Sequence, residues 1–388
     1  KLKELNKSSK FMGILGGGQL GRFFTIAAQN MGYLVVVFDP DNQSPAGKLA
    51  DKHICSAYDD LEALDELKEI CNEVTTEFEN IPAETLRYLE KDIIIRPESK
   101  AVSIAQNRIK EKSFLEESGI PIGRWAVIDN FESIKIFNDE VDIFPAILKT
   151  AQFGYDGKGQ IHVDNAIELE KAFVRFNKAA CVLEEKLDLD LEFSIVMARS
   201  IKGEYLEYPL IENQHEAGIL DLSIIPARVP SIIKKEATKF TKKIATDLNY
   251  VGVMAVEFFI SNNILYVNEI APRPHNSGHF SIDACVYNQF DQQVLTLSGN
   301  KPKDQETKFP VSVMLNLLGD LWFRRGEKKS EPNFEMIKSP EISLHLYGKS
   351  EPRIGRKMGH ITIVGSEKQS IEDIIRKAES IRKTIWKN

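Results

Sequence analysis

Two apolar stretches separated by a pair of asparagines constrain the fold of this chain more than any other feature. The first stretch reads VGVMAVEFFIS and contains Glu257, and the second reads ILYVNEI and contains Glu269. Both are rich in β-branched and aromatic residues, which is typical of buried strands. Asn262 and Asn263 between them are strong turn formers, so the sequence predicts a β-hairpin that brings the two glutamates close together.

Two carboxylates in a mostly apolar hairpin require a positive partner. Buried like charges repel each other and lose hydration, and a bound cation relieves both effects. Hard oxygen ligands suit Mg²⁺, and Mg²⁺ held by one or two carboxylates commonly also binds a substrate phosphate. We therefore expect Glu257 and Glu269, beside Asn268, to form a magnesium–phosphate site. The alternative is that both acids lie at strand ends and face water.

The composition is that of a globular protein with more than one core. The chain has 388 residues, of which 43% are hydrophobic and 28% are charged, and its formal net charge is −7. This length predicts two or three domains, and the acidic balance argues against nucleic acid as the main partner. The sparse, widely spaced cysteines fit the reducing cytosol. No apolar stretch approaches the roughly 20 residues that span a bilayer, so we expect a cytoplasmic protein without a membrane partner.

The first third of the chain alternates strand and helix signals. Short apolar runs read MGILG, LVVVFD and VTTEF, and a helical pattern places Leu61, Leu64 and Leu67 on one face. This βαβαβ rhythm predicts a doubly wound parallel α/β sheet with helices on both faces. Mixed signals from about residue 125 predict α+β structure in the rest. We also expect one long polar helix over 101–118.

The glycine-rich segment GGGQLG follows the first predicted strand. Gly16, Gly18 and Gly21 match the GxGxxG pattern, and Asp39 ends the next predicted strand. This is nearly the full dinucleotide-binding fingerprint, in which backbone amides approach a phosphate at a helix N-terminus. The loop alone leaves three interpretations open: a nicotinamide dinucleotide, another phosphate-bearing ligand, or a purely structural turn.

A second glycine-rich segment, FGYDGKGQ at 153–160, follows the apolar strand PAILKT. Its amides can fold over a polyphosphate while Lys149 supplies a point charge. Asp156 would be unfavourable beside phosphate, so we expect it to face a second substrate. The alternative is an ordinary glycine hairpin. Further on, Glu184 and Glu192 suit contacts with adenine and ribose.

The segment GKSEPRIGRKMGH concentrates basic residues between glycines. It includes Lys349, Arg356 and Lys357. A solvated basic loop is the default explanation, but a ribose 5-phosphate would explain such a cluster in an acidic protein. His345 and His360 lie in predicted strands nearby, where we interpret them as packing or surface histidines.

Taken together, these motifs resemble the ATP-grasp superfamily. The most specific pieces are GYDGKGQ, YVGVMAVEFF, NEIAPRPHNSGH and GRKMGH, and the resemblance covers nearly the whole chain. Within the superfamily the chain is similar to the purine-biosynthesis ligases that carboxylate the exocyclic amine of 5-aminoimidazole ribonucleotide with ATP and bicarbonate, via carboxyphosphate. Formate-dependent glycinamide ribonucleotide transformylases share a similar PRPH stretch but differ after it.

The resemblance implies three domains and a homodimer. It places an N-terminal αβ domain at 1–120, a central lid domain at 121–190, and a C-terminal domain at 191–388 with an extension from about 305. It also implies ATP and two Mg²⁺ ions, with Mn²⁺ as an alternative metal, and bicarbonate and 5-aminoimidazole ribonucleotide as the other small-molecule substrates.

The resemblance also assigns site residues by their positions in this sequence. The metal ligands would be Glu257 and Glu269. The residues expected to contact ATP are Arg108, Lys149, Gly154, Tyr155, Asp156, Gly157, Lys158, Gly159, Gln160, Glu184, Glu185, Lys186, Leu187, Glu192, His215, Asn268 and Glu269. The residues expected to contact the ribonucleotide are Gln19, Glu77, Tyr155, Asp156, Arg273, His275, Lys349, Arg356 and Lys357.

Three of these residues would take part in the chemistry. Arg273 would orient bicarbonate and stabilise developing negative charge, His275 would handle a proton or fix the carboxyl group, and Asp156 would accept or orient the amine proton. The competing hypotheses are a nicotinamide-dependent oxidoreductase, a non-catalytic nucleotide-binding regulator and a formate-using transformylase. A nicotinamide-dependent oxidoreductase would not explain the central glycine-rich segment or the acidic hairpin.

Overall fold

Three β-sheets, each built from a different stretch of the chain, organise the molecule. The structure is a computed structural model that describes residues 10–137, 143–152, 159–323, 332–337 and 339–387. Among the described helices, none is long and apolar enough to cross a lipid bilayer.

The N-terminal sheet has five parallel strands in the order β3-β2-β1-β4-β5. Its strands are β1 (Phe11–Leu15), β2 (Leu34–Phe38), β3 (Lys52–Ile54), β4 (Glu73–Thr76) and β5 (Ile94–Ile95). The connecting helices are α1 (Gln19–Asn30), α2 (Leu61–Ile70) and α3 (Ala83–Leu89). Separate apolar clusters cover the two faces of the sheet, with α2 and α3 on one face and α1 on the other. The predicted doubly wound parallel sheet is confirmed.

Two short helices, α4 (Ser99–Ala105) and α5 (Arg108–Glu117), follow this sheet. The expectation of one long helix over 101–118 is therefore wrong. Asn107 interrupts it, because its backbone is extended and its side chain accepts hydrogen bonds from the first amides of α5. The break places Arg108 at the first position of α5, beside the central sheet.

The central sheet is antiparallel, in the order β6-β9-β7-β8. Its strands are β6 (Trp125–Ile128), β7 (Ala146–Thr150), β8 (Gln160–Val163) and β9 (Cys181–Glu185). Two helices, α6 (Phe131–Lys135) and α7 (Ala166–Arg175), accompany it, and α7 buries Leu169 and Phe173 in a small separate core.

The C-terminal sheet is also antiparallel and runs β15-β14-β10-β12-β13-β16-β18-β17, with β11 beside β10. Its strands are β10 (Leu191–Arg199), β11 (Tyr205–Glu207), β12 (Ile211–Glu216), β13 (Ile219–Ile225), β14 (Gly252–Ser261), β15 (Ile264–Ala271), β16 (Val311–Leu318), β17 (Ile342–Leu346) and β18 (Lys357–Gly365). The helices are α8 (Ser231–Asp247), α9 (Ser281–Ala284), α10 (Gln289–Leu297) and α11 (Ile371–Lys387). Helix α10 packs against α1, which fixes the N-terminal sheet against the C-terminal one.

Strands β14 and β15 form the predicted hairpin. Asn262 and Asn263 both have positive φ angles, 51° and 61°, as a two-residue turn of the type favoured in hairpins requires. Glu257 lies directly opposite Glu269 in the strand register, and an irregularity in the pairing follows Glu257. The hairpin prediction is confirmed.

Candidate active site

A cleft of about 760 Å³ is lined by residues of the central and C-terminal sheets and by residues on α1 and just after β4 of the N-terminal sheet. It contains most of the residues expected at the site. Those that line it are Gln19, Glu77, Arg108, Lys149, Gln160, Glu184, Glu185, Lys186, Leu187, Glu192, His215, Glu257, Asn268, Glu269, Arg273, His275 and Lys357.

The predicted residues Gly154, Tyr155, Asp156, Gly157 and Lys158 lie outside the described residues. The expected folding of the central glycine-rich segment 153–160 over a polyphosphate, and the role of Asp156, therefore stay predictions.

Three predicted residues are described but do not line the cleft: Gly159, Lys349 and Arg356. Lys349 Nζ donates a hydrogen bond to the Lys357 carbonyl at 2.7 Å, and its charge acts on the Glu77 carboxyl group. Arg356 Nη1 donates to the carbonyl of Glu351 at 2.6 Å. The basic loop between β17 and β18 thus borders the cleft through Lys357.

The hairpin acids face the cleft, and each contacts the nitrogen of a basic side chain. Glu257 Oε1 lies 2.8 Å from His275 Nε2, and Glu269 Oε2 lies 3.4 Å from Arg108 Nη1. Burial opposes ionisation of Glu257, but the hydrogen bond from His275, and its charge when the ring is protonated, lower the pKa of Glu257 below its usual value. Two carboxyl groups on paired strands supply the oxygen donors that Mg²⁺ prefers, so the residues present fit this metal.

Lys149 is held between the central sheet and α5. Its Nζ lies 2.9 Å from Glu184 Oε2, and Lys112 Nζ lies 3.6 Å from the same oxygen. Burial would raise the pKa of Glu184, but the two lysines hold it at about 2. The second carboxylate oxygen of Glu184 is buried without a hydrogen-bond partner in the described residues. Glu184 therefore positions the two lysines through one oxygen and keeps the other as an unused acceptor.

Glu192 and His215 form a second acid–imidazole pair on neighbouring strands. His215 Nδ1 lies 3.1 Å from Glu192 Oε2, a charge contact rather than a hydrogen bond. Burial disfavours the protonated ring, but Glu192 and Glu257 raise the pKa of His215 above its usual value. The two carboxyl groups thus favour the protonated form of His215 near the hairpin acids.

Arg273 meets an acid from the N-terminal sheet. Its Nε and Nη2 donate to the two carboxylate oxygens of Glu79 at 2.5 and 3.3 Å. Burial opposes ionisation of Glu79, but the guanidinium holds its pKa at about 2. This forked pair links residues 194 positions apart and fixes the orientation of the Arg273 side chain at the cleft.

The N-terminal glycine loop donates its amides to carboxylates of this chain. Gly18 N donates to Glu77 Oε2 at 2.5 Å, and Gly17 N donates to Asp39 Oδ2 at 2.7 Å. Burial is the main reason why the pKa of Glu77 rises to about 7, although the Gly18 amide opposes this. The two amides at this helix N-terminus therefore already donate to side-chain carboxyl groups, which argues against a dinucleotide phosphate there.

Three charged residues at the cleft were not predicted from sequence: Glu79, Glu111 and Lys112. Glu111 accepts a hydrogen bond from the Ile270 amide at 2.6 Å, and burial together with Glu269 raises its pKa to about 8. Lys112 Nζ donates to the Asn268 carbonyl at 3.2 Å. Glu111 and Lys112 lie on the buried side of an otherwise polar helix. Which side of the helix is buried depends on where α5 begins, and the sequence pattern did not indicate a start at Arg108.

Three family models match the chain. Residues 9–106 match a ribonucleotide synthetase preATP-grasp domain, residues 113–290 match an ATP-grasp domain, and residues 312–374 match a phosphoribosylaminoimidazole carboxylase C-terminal domain. Together with the three sheets and their shared cleft, these matches define an ATP-grasp protein.

Relatives of known identity extend over almost the whole chain. N5-carboxyaminoimidazole ribonucleotide synthase of Bacillus subtilis is 38% identical over 377 residues, which are 97% of this chain and 97% of that protein. The solved N5-carboxyaminoimidazole synthetase from Staphylococcus aureus, complexed with ADP, is 37% identical, covers 97% of both chains and has a TM-score of 0.87. The Aspergillus clavatus synthase, in complex with ADP and 5-aminoimidazole ribonucleotide, is 27% identical over 98% of this chain and 99% of that one, with a TM-score of 0.86.

The chain belongs to the N5-carboxyaminoimidazole ribonucleotide synthase family. The resemblance inferred from the sequence motifs is confirmed.

Proposed function

We propose that this chain carboxylates the exocyclic amine of 5-aminoimidazole ribonucleotide, using ATP and bicarbonate and releasing ADP and phosphate. Its family supports this proposal, since relatives have been solved with ADP and with the ribonucleotide. The observation that carries it is that one cleft is lined by the basic residue Lys149, by the paired acids Glu257 and Glu269, and by Glu77, which follows β4 of the N-terminal sheet.

The first step joins bicarbonate to the terminal phosphoryl group. A bicarbonate oxygen attacks the γ-phosphorus of ATP, the bond to the bridging oxygen breaks, and ADP leaves, which produces carboxyphosphate. Such transfer needs positioning and charge neutralisation more than covalent participation by the protein. Arg108 and Lys149 supply positive charge at the cleft, and a triphosphate would compete for them with Glu269 and Glu184.

Mg²⁺ would be held by Glu257 and Glu269, with Mn²⁺ as the alternative. When bound, the metal supplies neutralisation of phosphate charge. His275 then has to be positioned by its other contacts: its Nδ1 lies 2.7 Å from Ser277 Oγ, and its backbone amide donates to Gln289. This frame keeps the imidazole at the cleft whether or not it contacts Glu257.

The second step forms the carbon–nitrogen bond. The amine nitrogen attacks the carboxyl carbon of carboxyphosphate, the carbon–oxygen bond to phosphate breaks, and the nitrogen loses a proton. Arg273, oriented by Glu79, would stabilise the developing negative charge, and neutral His275 would receive a proton. Asp156 is the second proposed group near the amine.

The ribonucleotide would bind at the N-terminal side of the cleft. Gln19 and Glu77 line that side, and Lys357 reaches it from β18. Lys349 and Arg356 in the adjoining loop would hold the 5-phosphate, which requires that loop to present its cations to the cleft. The homodimer, the cytoplasmic location and the domain boundaries near 120 and 190 also remain proposals.

The test is ADP release from purified protein with Mg²⁺ and ATP. We expect fast release only when both 5-aminoimidazole ribonucleotide and bicarbonate are present, with label from ¹³C-bicarbonate in the product. Formate with glycinamide ribonucleotide serves as the matched control for the transformylase alternative. Release that requires formate, or nucleotide binding without any substrate-dependent release, would refute the proposal.

A further inference from the structure

Two histidines and one aspartate form a cluster outside the lining of the cleft. His345 on β17 and His360 on β18 are directly opposite in the strand register, and their rings stack with centroids 4.7 Å apart. The carboxylate of Asp283, on the short helix α9, lies 3.0 Å from His345 Nε2. The three side chains thus come from rigid elements that the register brings together.

A buried nitrogen in this cluster has no partner. His360 is fully buried, and its Nδ1 lies 2.9 Å from the Tyr347 hydroxyl. Its Nε2 has no hydrogen-bond partner in the described residues. Buried polar atoms are nearly always satisfied, so an unpartnered imidazole nitrogen calls for a ligand.

The cluster has the donors and spacing of a metal site. One ligand atom from each of Asp283, His345 and His360 lies within 4.8 Å of the others. Tetrahedral coordination at about 2.1 Å places donors roughly 3.4 Å apart, so small side-chain rotations close the site. Asp283 and His345 are 17% and 25% exposed, which leaves a path for an ion.

We propose that Asp283, His345 and His360 bind a divalent transition-metal ion of the Zn²⁺ class, with Tyr347 orienting His360. Two imidazoles and a carboxylate are typical zinc ligands, whereas Mg²⁺ prefers oxygen donors alone. A hydrogen bond to the second ring nitrogen is the usual way in which a metal-binding histidine is held. The site differs in donor type from the acidic hairpin of the cleft and does not depend on the proposed reaction.

The state of His360 agrees with this assignment. Burial is the main reason why the pKa of His360 lies well below its usual value, so the ring stays neutral near neutral pH. A metal ligand must be deprotonated, and a neutral imidazole therefore offers its lone pair without losing a proton. The bound ion would connect α9, which follows the PRPHNSGH segment, to the strand pair β17–β18.

The experiment is a Co²⁺ titration of the full chain in excess Mg²⁺, followed by visible absorption, with Zn²⁺ added as competitor. We expect one equivalent of Co²⁺ with the intense bands of a four- or five-coordinate site, displaced by Zn²⁺. His345→Ala and Asp283→Asn should each abolish these bands, and Tyr347→Phe should weaken binding by about 10- to 100-fold. His162→Ala, which removes a histidine on β8 of the central sheet, is the matched control and should bind as the unmodified protein does.

Two results would overturn the proposal. One is the absence of these bands in the unmodified protein, or their persistence in both His345→Ala and Asp283→Asn. The other is their loss in Glu257→Gln but not in Asp283→Asn, which would place the ion in the cleft. Circular dichroism checks that each variant is folded, and because Asp283 and His345 are partly exposed, either variant alone decides the question if the other does not fold.

Discussion

The glycine loop near the start of the chain and the acidic hairpin of β14 and β15 both carry sequence signatures of phosphate chemistry, but they are satisfied in different ways. In the glycine loop, the amides of Gly17 and Gly18 donate to the carboxylates of Asp39 and Glu77. In the hairpin, Glu257 and Glu269 contact the side chains of His275 and Arg108. The amides of the loop are bonded within their own domain, whereas the hairpin acids contact side chains from other segments at the cleft.

This difference shows that a binding motif specifies the geometry of its donor and acceptor groups, but not whether those groups are free to bind a ligand. Backbone amides buried against carboxylates can accept a ligand only if those carboxylates leave, and burial makes that costly. Side-chain partners such as His275 can rotate or share their charge when a cation and a triphosphate arrive. We therefore expect ligand-linked effects at the hairpin and folding effects at the loop.

The largest expected effect comes from Glu269→Gln. This change keeps the shape of the side chain but removes the charge that would hold the metal. We expect the rate of ADP release with all three substrates to fall at least about 100-fold, which is the scale of losing one preorganised electrostatic contact. Glu132→Gln, a surface change in the central sheet domain, is the control and should leave the rate unchanged. A rate in Glu269→Gln close to that of the unmodified protein would remove the hairpin from the site.

The second prediction contrasts the two regions through their ligands. ATP with Mg²⁺ should raise the midpoint of thermal unfolding, by a stabilisation of about 2.7 kcal/mol when the ligand is at 100 times its Kd. NADH should give no shift, because the glycine-loop amides are already bonded to Asp39 and Glu77. If NADH stabilises the unmodified protein but not Glu269→Gln, both ligands bind in the cleft. If NADH also stabilises Glu269→Gln, the N-terminal glycine loop is again a candidate nucleotide site.

Features set by local chemistry could be predicted from the sequence. The hairpin follows from two β-rich runs around Asn262 and Asn263, and the parallel sheet follows from the strand–helix rhythm of the first third. The break at Asn107 was missed because the polar pattern continues across it, although asparagine before a polar run is a known helix start.

Contacts between distant segments could not be predicted. The Arg273–Glu79 pair joins residues 194 positions apart, and nothing near either residue indicates the other. The cross-strand position of His345 and His360 depends on the register of β17 and β18, which follows from packing rather than from local spacing. The sequence predicted most residues of the cleft. It did not predict which of these charged residues already contact a residue of opposite charge in the folded protein.

The third prediction tests the closed state of the glycine loop. A Cβ atom added at Gly18 would collide with the Glu77 carboxylate, which is buried and bonded to the Gly18 amide. Gly18→Ala should therefore destabilise the protein by about 1–3 kcal/mol in urea unfolding. Gly123→Ala is the control, because the nearest atom to its added Cβ is 3.6 Å away. Equal stability of the two variants would mean that the loop opens easily and is available to a ligand.

The smallest expected effect concerns pH. Arg273 holds the pKa of Glu79 at about 2, below the ordinary value of 4.5. A depressed pKa contributes stability that is present above the ordinary value and lost as the pH falls toward the folded value. Glu79→Gln removes this contribution, so between about pH 6 and pH 4 its free energy of unfolding should fall by about 1 kcal/mol less than that of the unmodified protein.

Urea unfolding at several pH values measures this difference, and Glu132→Gln, which breaks an exposed ion pair with Lys135, is the matched control. We expect the control to keep the pH dependence of the unmodified protein, because exposed pairs contribute little. Identical pH profiles for Glu79→Gln and the control would mean that the Arg273–Glu79 pair is as weak as a surface contact. Arg273 would then be free to turn toward a substrate anion without loss of stability.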